Sequence, residues 1–179
     1  MEAIECIKGR RSIRKFKPVA VDHSIIENIV EAASFSPSWK NTQIARYYIV
    51  EGDLKDKVAS ESTLAFPHNG EIIKQAPMLV VMAFVKSRSG FERDGSYTTN
   101  KKDGWQMFDT GIATQSFTLA AHEAGLGTVI MGIFDDAVVS SILEIPDTQE
   151  VACLIPIGYP DEAPTAPKRK EVSDLLTFK

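Results

Sequence analysis

Within Arg10-Arg11-Ser12-Ile13-Arg14-Lys15 the chain places four cations and a hydroxyl in six consecutive residues. Guanidinium groups this close repel one another unless an anion lies among them. Arginine's planar fork matches phosphate oxygens two at a time, and a serine hydroxyl or backbone N–H completes such a cradle. A second basic run, Lys168-Arg169-Lys170, lies near the other end of a chain whose net charge is −4. Two cationic islands in an acidic protein point to a discrete anion site; a solvated basic surface is the plainer alternative.

Two further stretches have the makings of a ligand site. Ser36-Pro37-Ser38-Trp39-Lys40-Asn41-Thr42-Gln43 is a rigid, donor-rich turn suited to a polar planar ligand, or else an ordinary end to a helix. In Met131-Gly132-Ile133-Phe134-Asp135, Gly132 at a strand end lets a ligand approach the backbone, where its N–H can donate to a ring nitrogen. A tight strand-to-helix connection is the alternative there.

Other chemistries are set aside. His23, His68 and His122 are scattered, so no metal site is expected. There is no Gly-x-Ser-x-Gly elbow, and neither Cys6 nor Cys153 carries a nucleophile signature. Gly125-Leu126-Gly127 follows a helix and precedes a strand, and Ile130 stands where the dinucleotide fingerprint has its third glycine. It reads as a helix C-cap, so the chain has no dedicated fold for retaining a nicotinamide cofactor.

The elements that must position these residues follow from length and pattern. The 179 residues, 44% hydrophobic and 25% charged, most simply form one domain spanning 1–179. The acidic balance argues against a nucleic-acid-binding face. Two cysteines are too few for a disulfide framework, which makes a reducing cytoplasm the expected location. Met1–Glu5 lacks the basic start of a signal peptide, and the longest apolar run, Pro77–Val85, is too short to cross a membrane.

A short helix over 2–8 puts Ile4 and Ile7 on one side, with Gly9 as its cap, and Asp22 caps a second helix carrying Ile25, Ile26, Ile29, Val30 and Ala33. Strands are expected at 46–51 (buried), 78–85, 128–131 and 151–157. Helices are expected at 53–62 (exposed), 69–76, from Trp105 to a Gly125 cap, and from an Asp135 cap through Leu143. The long helix repeats Phe108, Ile112, Gln115, Leu119 and His122 at helical spacing. Residues 86–104 form a long polar loop of the kind that serves as a lid, and the proline-spaced tail over 160–179 is extended. The alternation gives an α/β or α+β fold, a thin sheet with helices on its faces that calls for a partner subunit over its apolar helices.

In order and spacing, these stretches resemble the FMN-dependent nitroreductase family over nearly the whole length. The pattern is Arg-Arg-Ser-x-Arg after the first helix, Ser-Pro-Ser-x-x-Asn-x-Gln after the second, Ala76-Pro77 before the central strand, a long helix ending Ala-Gly-Leu-Gly-Thr, Gly132–Asp135, and Ile157-Gly158-Tyr159-Pro160 with its basic tail. Two departures are Ile44-Ala45, where many relatives have Pro-Trp, and Gly132, where some have an acidic residue.

The resemblance implies an α/β sandwich with a mostly antiparallel central sheet, an intertwined homodimer, and two FMN sites at its interface. Arg10, Ser12 and Arg14 would hold the phosphate and ribityl chain, helped by Arg11 through backbone or side chain. A tail cation joins them, Lys168 or Arg169, with Lys170 not separated from these. Pro37 and Ser38 would come from the partner and line the isoalloxazine, while Asn41 braces their loop. Asn69 would face the pyrimidine edge, with Met131 beside Gly132, whose N–H points at flavin N5. No protein side chain is catalytic in this scheme. NAD(P)H delivers hydride and leaves, and a nitroaromatic, quinone or flavin-type acceptor takes its place, in ping-pong order. A dehalogenating branch and a non-catalytic FMN-binding module are the alternatives.

Overall fold

The computed structural model describes residues 2–179, so Met1 of the stretch examined for a leader lies outside it. The central strand β2, Met78–Val85, is a run of eight apolar residues, of which Met78 through Phe84 are buried. Successive side chains of a strand point to opposite faces, so such a run demands cover on both sides. Both are covered. Leu79 and Val81 pack with Val58 and Ala59 of α3 (Gly52–Ser62), Ile72 and Ile73 of α4 (Pro67–Gln75) and Val139 of α6 (Asp136–Ile142). Met78, Val80 and Met82 pack with Ile26 and Ile29 of α2 (His23–Ser34) and Phe117 of α5 (Gly104–Glu123).

The sheet is antiparallel throughout, in the order β1-β2-β4-β3, with β1 at Ala45–Val50, β3 at Gly127–Thr128 and β4 at Gln149–Gly158. Helix ends follow local chemistry. The Asp22 carboxylate accepts from Ser24 N and Asp135 from Val138 N, while Gly125 closes α5 at φ 79°.

Several expectations are corrected. β1 is an edge strand whose residues are only partly covered apart from Val50. α3 is not simply exposed, because Lys55, Val58, Ala59 and Ser62 form a buried inner face. The expected 128–131 strand pairs only at Gly127–Thr128 and again at Met131, which meets Leu154; one register runs through both, with the ladder interrupted between. In the tail, Val172–Leu175 forms the short helix α7. Gly9 is the last residue of α1 (Ala3–Gly9) and not a left-handed cap; a Cβ there would lie 3.1 Å from His122 Nε2 on α5, which calls for a small residue.

Helix α5 is two-sided. It buries Gln106, Asp109, Thr110, Ala113, Thr114, Phe117, Thr118 and Ala121, while Met107 and Phe108 are more than half exposed. The stripe Phe108, Ile112, Gln115, Leu119 and His122 is therefore half-buried or exposed in this chain. α1 behaves likewise, with Ile4 and Ile7 exposed and Cys6 buried. Among the described residues no helix is long and apolar enough to cross a membrane.

Candidate functional site

The basic segment is held like an extra strand. Ser12 pairs with Thr128 of β3, Ile13 N donates to Thr128 O at 2.9 Å, and Phe16 pairs with Pro160. Lys17 N donates to Tyr159 O and Asp161 N to Lys15 O, both at 2.9 Å. Ile13 and Phe16 turn inward and are buried, which leaves the charged residues between them outside. Two glycines allow this approach. A Cβ on Gly127 would stand 2.7 Å from Ile13 Cγ1, and one on Gly158 would stand 2.5 Å from Pro77 Cδ.

Because the chain leaving β4 runs back along this segment, the two basic islands meet. Arg10, Arg11, Ser12 and Arg14 line one hollow of about 360 Å³ with Pro164, Thr165, Pro167 and Arg169. The Arg10, Arg14 and Arg169 guanidiniums have no hydrogen-bond or ion-pair partner among the described residues. Arg11 differs: its Nη1 donates to the carbonyls of Lys8 (2.6 Å), Gly9 (3.1 Å) and Arg10 (2.9 Å), so its guanidinium closes the negative end of α1. Lys168 lines a neighbouring groove with Arg169, Lys170, Glu171 and Asp174 rather than the hollow itself. Of the tail cations, Arg169 alone lines the hollow.

Glu162 was not anticipated. Its Oε1 accepts from the main-chain N–H groups of Arg14 and Lys15, pinning the tail to the basic segment. Only its place in a tail already read as returning to the cations could have pointed to it.

Gly132 continues the chain beyond β3 on an exposed rim with open space at its Cβ position. Met131 is buried and exchanges both main-chain hydrogen bonds with Leu154, at 2.8 and 3.0 Å. Asn69, also buried, donates from Nδ2 to Ile133 O at 3.0 Å. One N–H of its amide thus braces the Gly132 rim, and the second N–H and the Oδ1 are left for other partners.

Pro37 and Ser38 are not brought to the basic hollow. They line a separate cavity of about 230 Å³ with Val30, Gln43, Tyr47, Asp109 and Ala113. Their turn is strained, with Lys40, Asn41 and Gln43 at φ 46°, 54° and 48°. Left-handed backbone is costly for lysine and glutamine and persists only where the surroundings impose it. Here Ser38 Oγ accepts from Gln43 N at 3.0 Å, and buried Asp109 accepts from Trp39 N at 2.9 Å and Ser89 Oγ at 2.6 Å. Ser89 in turn bonds Thr42 at 2.7 Å, which ties the turn to the 86–104 loop. Among the described residues no group of His, Cys, Asp and Glu is placed to hold a metal ion.

Residues 7–159 match the Nitroreductase family. A Methanothermobacter thermautotrophicus protein carrying the provisional name NADH dehydrogenase/NAD(P)H nitroreductase is 30% identical over 92% of this chain and 80% of its own length. An iodotyrosine deiodinase of Haliscomenobacter hydrossis is 28% identical over 98% of this chain and 87% of its own. A chain from Exiguobacterium sibiricum, provisionally termed a nitroreductase and solved in complex with FMN, superposes with a TM-score of 0.85 at 18% identity, covering 100% of this chain and 98% of that one. At that identity the likeness is one of fold.

Proposed function

The chain belongs to the nitroreductase family, and on that premise we propose that it is an FMN-dependent oxidoreductase drawing electrons from NADH or NADPH. The observation that carries this reading is the hollow where Arg10, Ser12 and Arg14 from one end of the chain face Arg169 from the other. Three unpaired guanidiniums and a hydroxyl suit a doubly charged phosphate monoester, the terminal group of FMN. The FMN complex of the Exiguobacterium sibiricum chain and the name of the Methanothermobacter relative support the same reading.

FMN, when bound, supplies the electron chemistry. The residues of this chain bind and orient. Arg10, Arg14 and Arg169 take the phosphate, Ser12 adds a hydroxyl, and Glu162 keeps the tail in place. The Gly132 N–H, on a rim braced by Asn69, is a fixed donor for negative charge at the flavin ring. Reductant and acceptor would bind in turn at one place, and with protons drawn from solvent no acid–base pair is asked of the protein. Pro37 and Ser38 complete the site from a second copy in a homodimer. Their separation from the basic hollow, and the exposed Ile4, Ile7, Met107 and Phe108, support that arrangement. Two free, buried cysteines accord with a reducing cytoplasm.

The test is an absorbance spectrum of the pure protein before and after anaerobic NADPH. A yellow protein that bleaches, with parallel double-reciprocal lines in turnover, is expected. A colourless protein, or intersecting lines, sinks the cofactor or the ping-pong order respectively, and bound flavin that NADPH and NADH leave oxidised makes this a binding module. The deiodinase relative favours a second reading, reductive dehalogenation; anaerobic turnover of halogenated against nitro aromatics separates the two.

A further inference from the structure

The strained turn and the polar loop enclose a second feature. Between them lies a hollow of about 280 Å³ whose lining includes Trp39, Lys40, Arg88, Phe91, Glu92 and Arg93. An empty space of about 150 Å³ accepts benzene, so a substituted ring fits. Its walls are already joined. Lys40 Nζ reaches Glu92 at 3.0 and 3.2 Å, Thr98 donates to the same carboxylate at 2.8 Å, and Thr42 bonds Ser89.

The chemistry of this lining is lopsided. Glu92, its one carboxylate, is neutralised by Lys40. The Arg88 and Arg93 guanidiniums have no partner among the described residues, and the Trp39 indole N–H is buried with no acceptor. Two aromatic rings line the hollow, Phe91 already packed on Tyr97 with centroids 4.9 Å apart, and its two unpaired charges are both cationic. Trp39 itself leans on Trp105, ring centroids 4.8 Å apart, which fixes its plane.

We propose that this hollow binds planar aromatic carboxylates, with the ring against Trp39 and Phe91 and the carboxylate toward Arg88 and Arg93.

The probes are 4-nitrobenzoate and uncharged nitrobenzene, titrated into the full chain and followed by fluorescence of Trp39 and Trp105, its two tryptophans. The expected result is at least tenfold tighter binding of 4-nitrobenzoate. That preference should collapse toward unity in an Arg88→Gln, Arg93→Gln double variant and survive in the control Lys57→Gln on α3. Equal binding of the two probes, or a preference the double variant leaves intact, overturns the proposal.

Discussion

The buried carboxylate of Asp109 on α5 accepts the main-chain N–H of Trp39 at 2.9 Å, joining residues seventy positions apart in the chain. The same oxygen takes the Ser89 hydroxyl, so one side chain holds both the strained turn and the polar loop. Removing it leaves a main-chain donor and a buried hydroxyl without their acceptor. Asp109→Ala is expected to cost about 2–4 kcal/mol in urea denaturation. It should also raise hydrogen exchange in 38–43 and 86–92 together; exchange that rises in only one of the two segments would rule out the shared anchor.

Charge in the basic hollow should count residue by residue. Arg14→Ala and Arg169→Ala each remove an unpaired guanidinium, and FMN affinity measured by flavin fluorescence should fall by about 2 kcal/mol, roughly thirtyfold. Lys168→Ala, in the neighbouring groove, should change it by less than about twofold. A larger loss for Lys168 than for Arg169 would invert the assignment.

Packing beneath the segment should be felt at its surface. Gly127→Ala sets a methyl group 2.7 Å from Ile13 Cγ1, so Ile13 and the backbone on either side must move. The expected cost is about 1–3 kcal/mol in thermal unfolding, accompanied by weaker FMN binding. Weaker folding with unchanged affinity would show that the two are uncoupled.

Burial pushes the Tyr47 phenol up to about 12, and its hydroxyl has no partner among the described residues. The folded state therefore holds this proton more tightly than the unfolded chain, whose tyrosines titrate near about 10. Stability from this source is complete below about pH 10 and is lost as pH climbs from about 10 to 12. Spectrophotometric titration should show a late tyrosine step that Tyr47→Phe abolishes; a step that persists in the variant belongs to another residue.

Where one residue settles its own surroundings, the sequence was readable. The β2 run admits only a doubly covered strand, Asp22 and Asp135 cap the helices they precede, and Gly125 supplies the left-handed turn. Residues whose partners lie far along the chain were not readable. Helical spacing on α5 did not reveal that its inner face carries polar groups which irregular segments need: Asp109 for Trp39, and Gln106 Oε1 for Ser87 N. Charge alone pointed to a discrete anion site, and the family resemblance supplied the meeting of Arg10, Ser12 and Arg14 with a tail cation. That Arg11 would close α1, that Asn69 would clamp Ile133 and that Glu162 would pin the tail depended on backbone paths no periodicity encodes.

The return of the tail along the basic segment imposes an order of assembly. The sheet has all its strands once the ribosome has reached Gly158, while the basic hollow must wait for Arg169. A protease that clips between Pro164 and Arg169 would leave the strand pairing whole and cut away one wall of that hollow, so a loss of anion affinity would report such damage before any loss of fold.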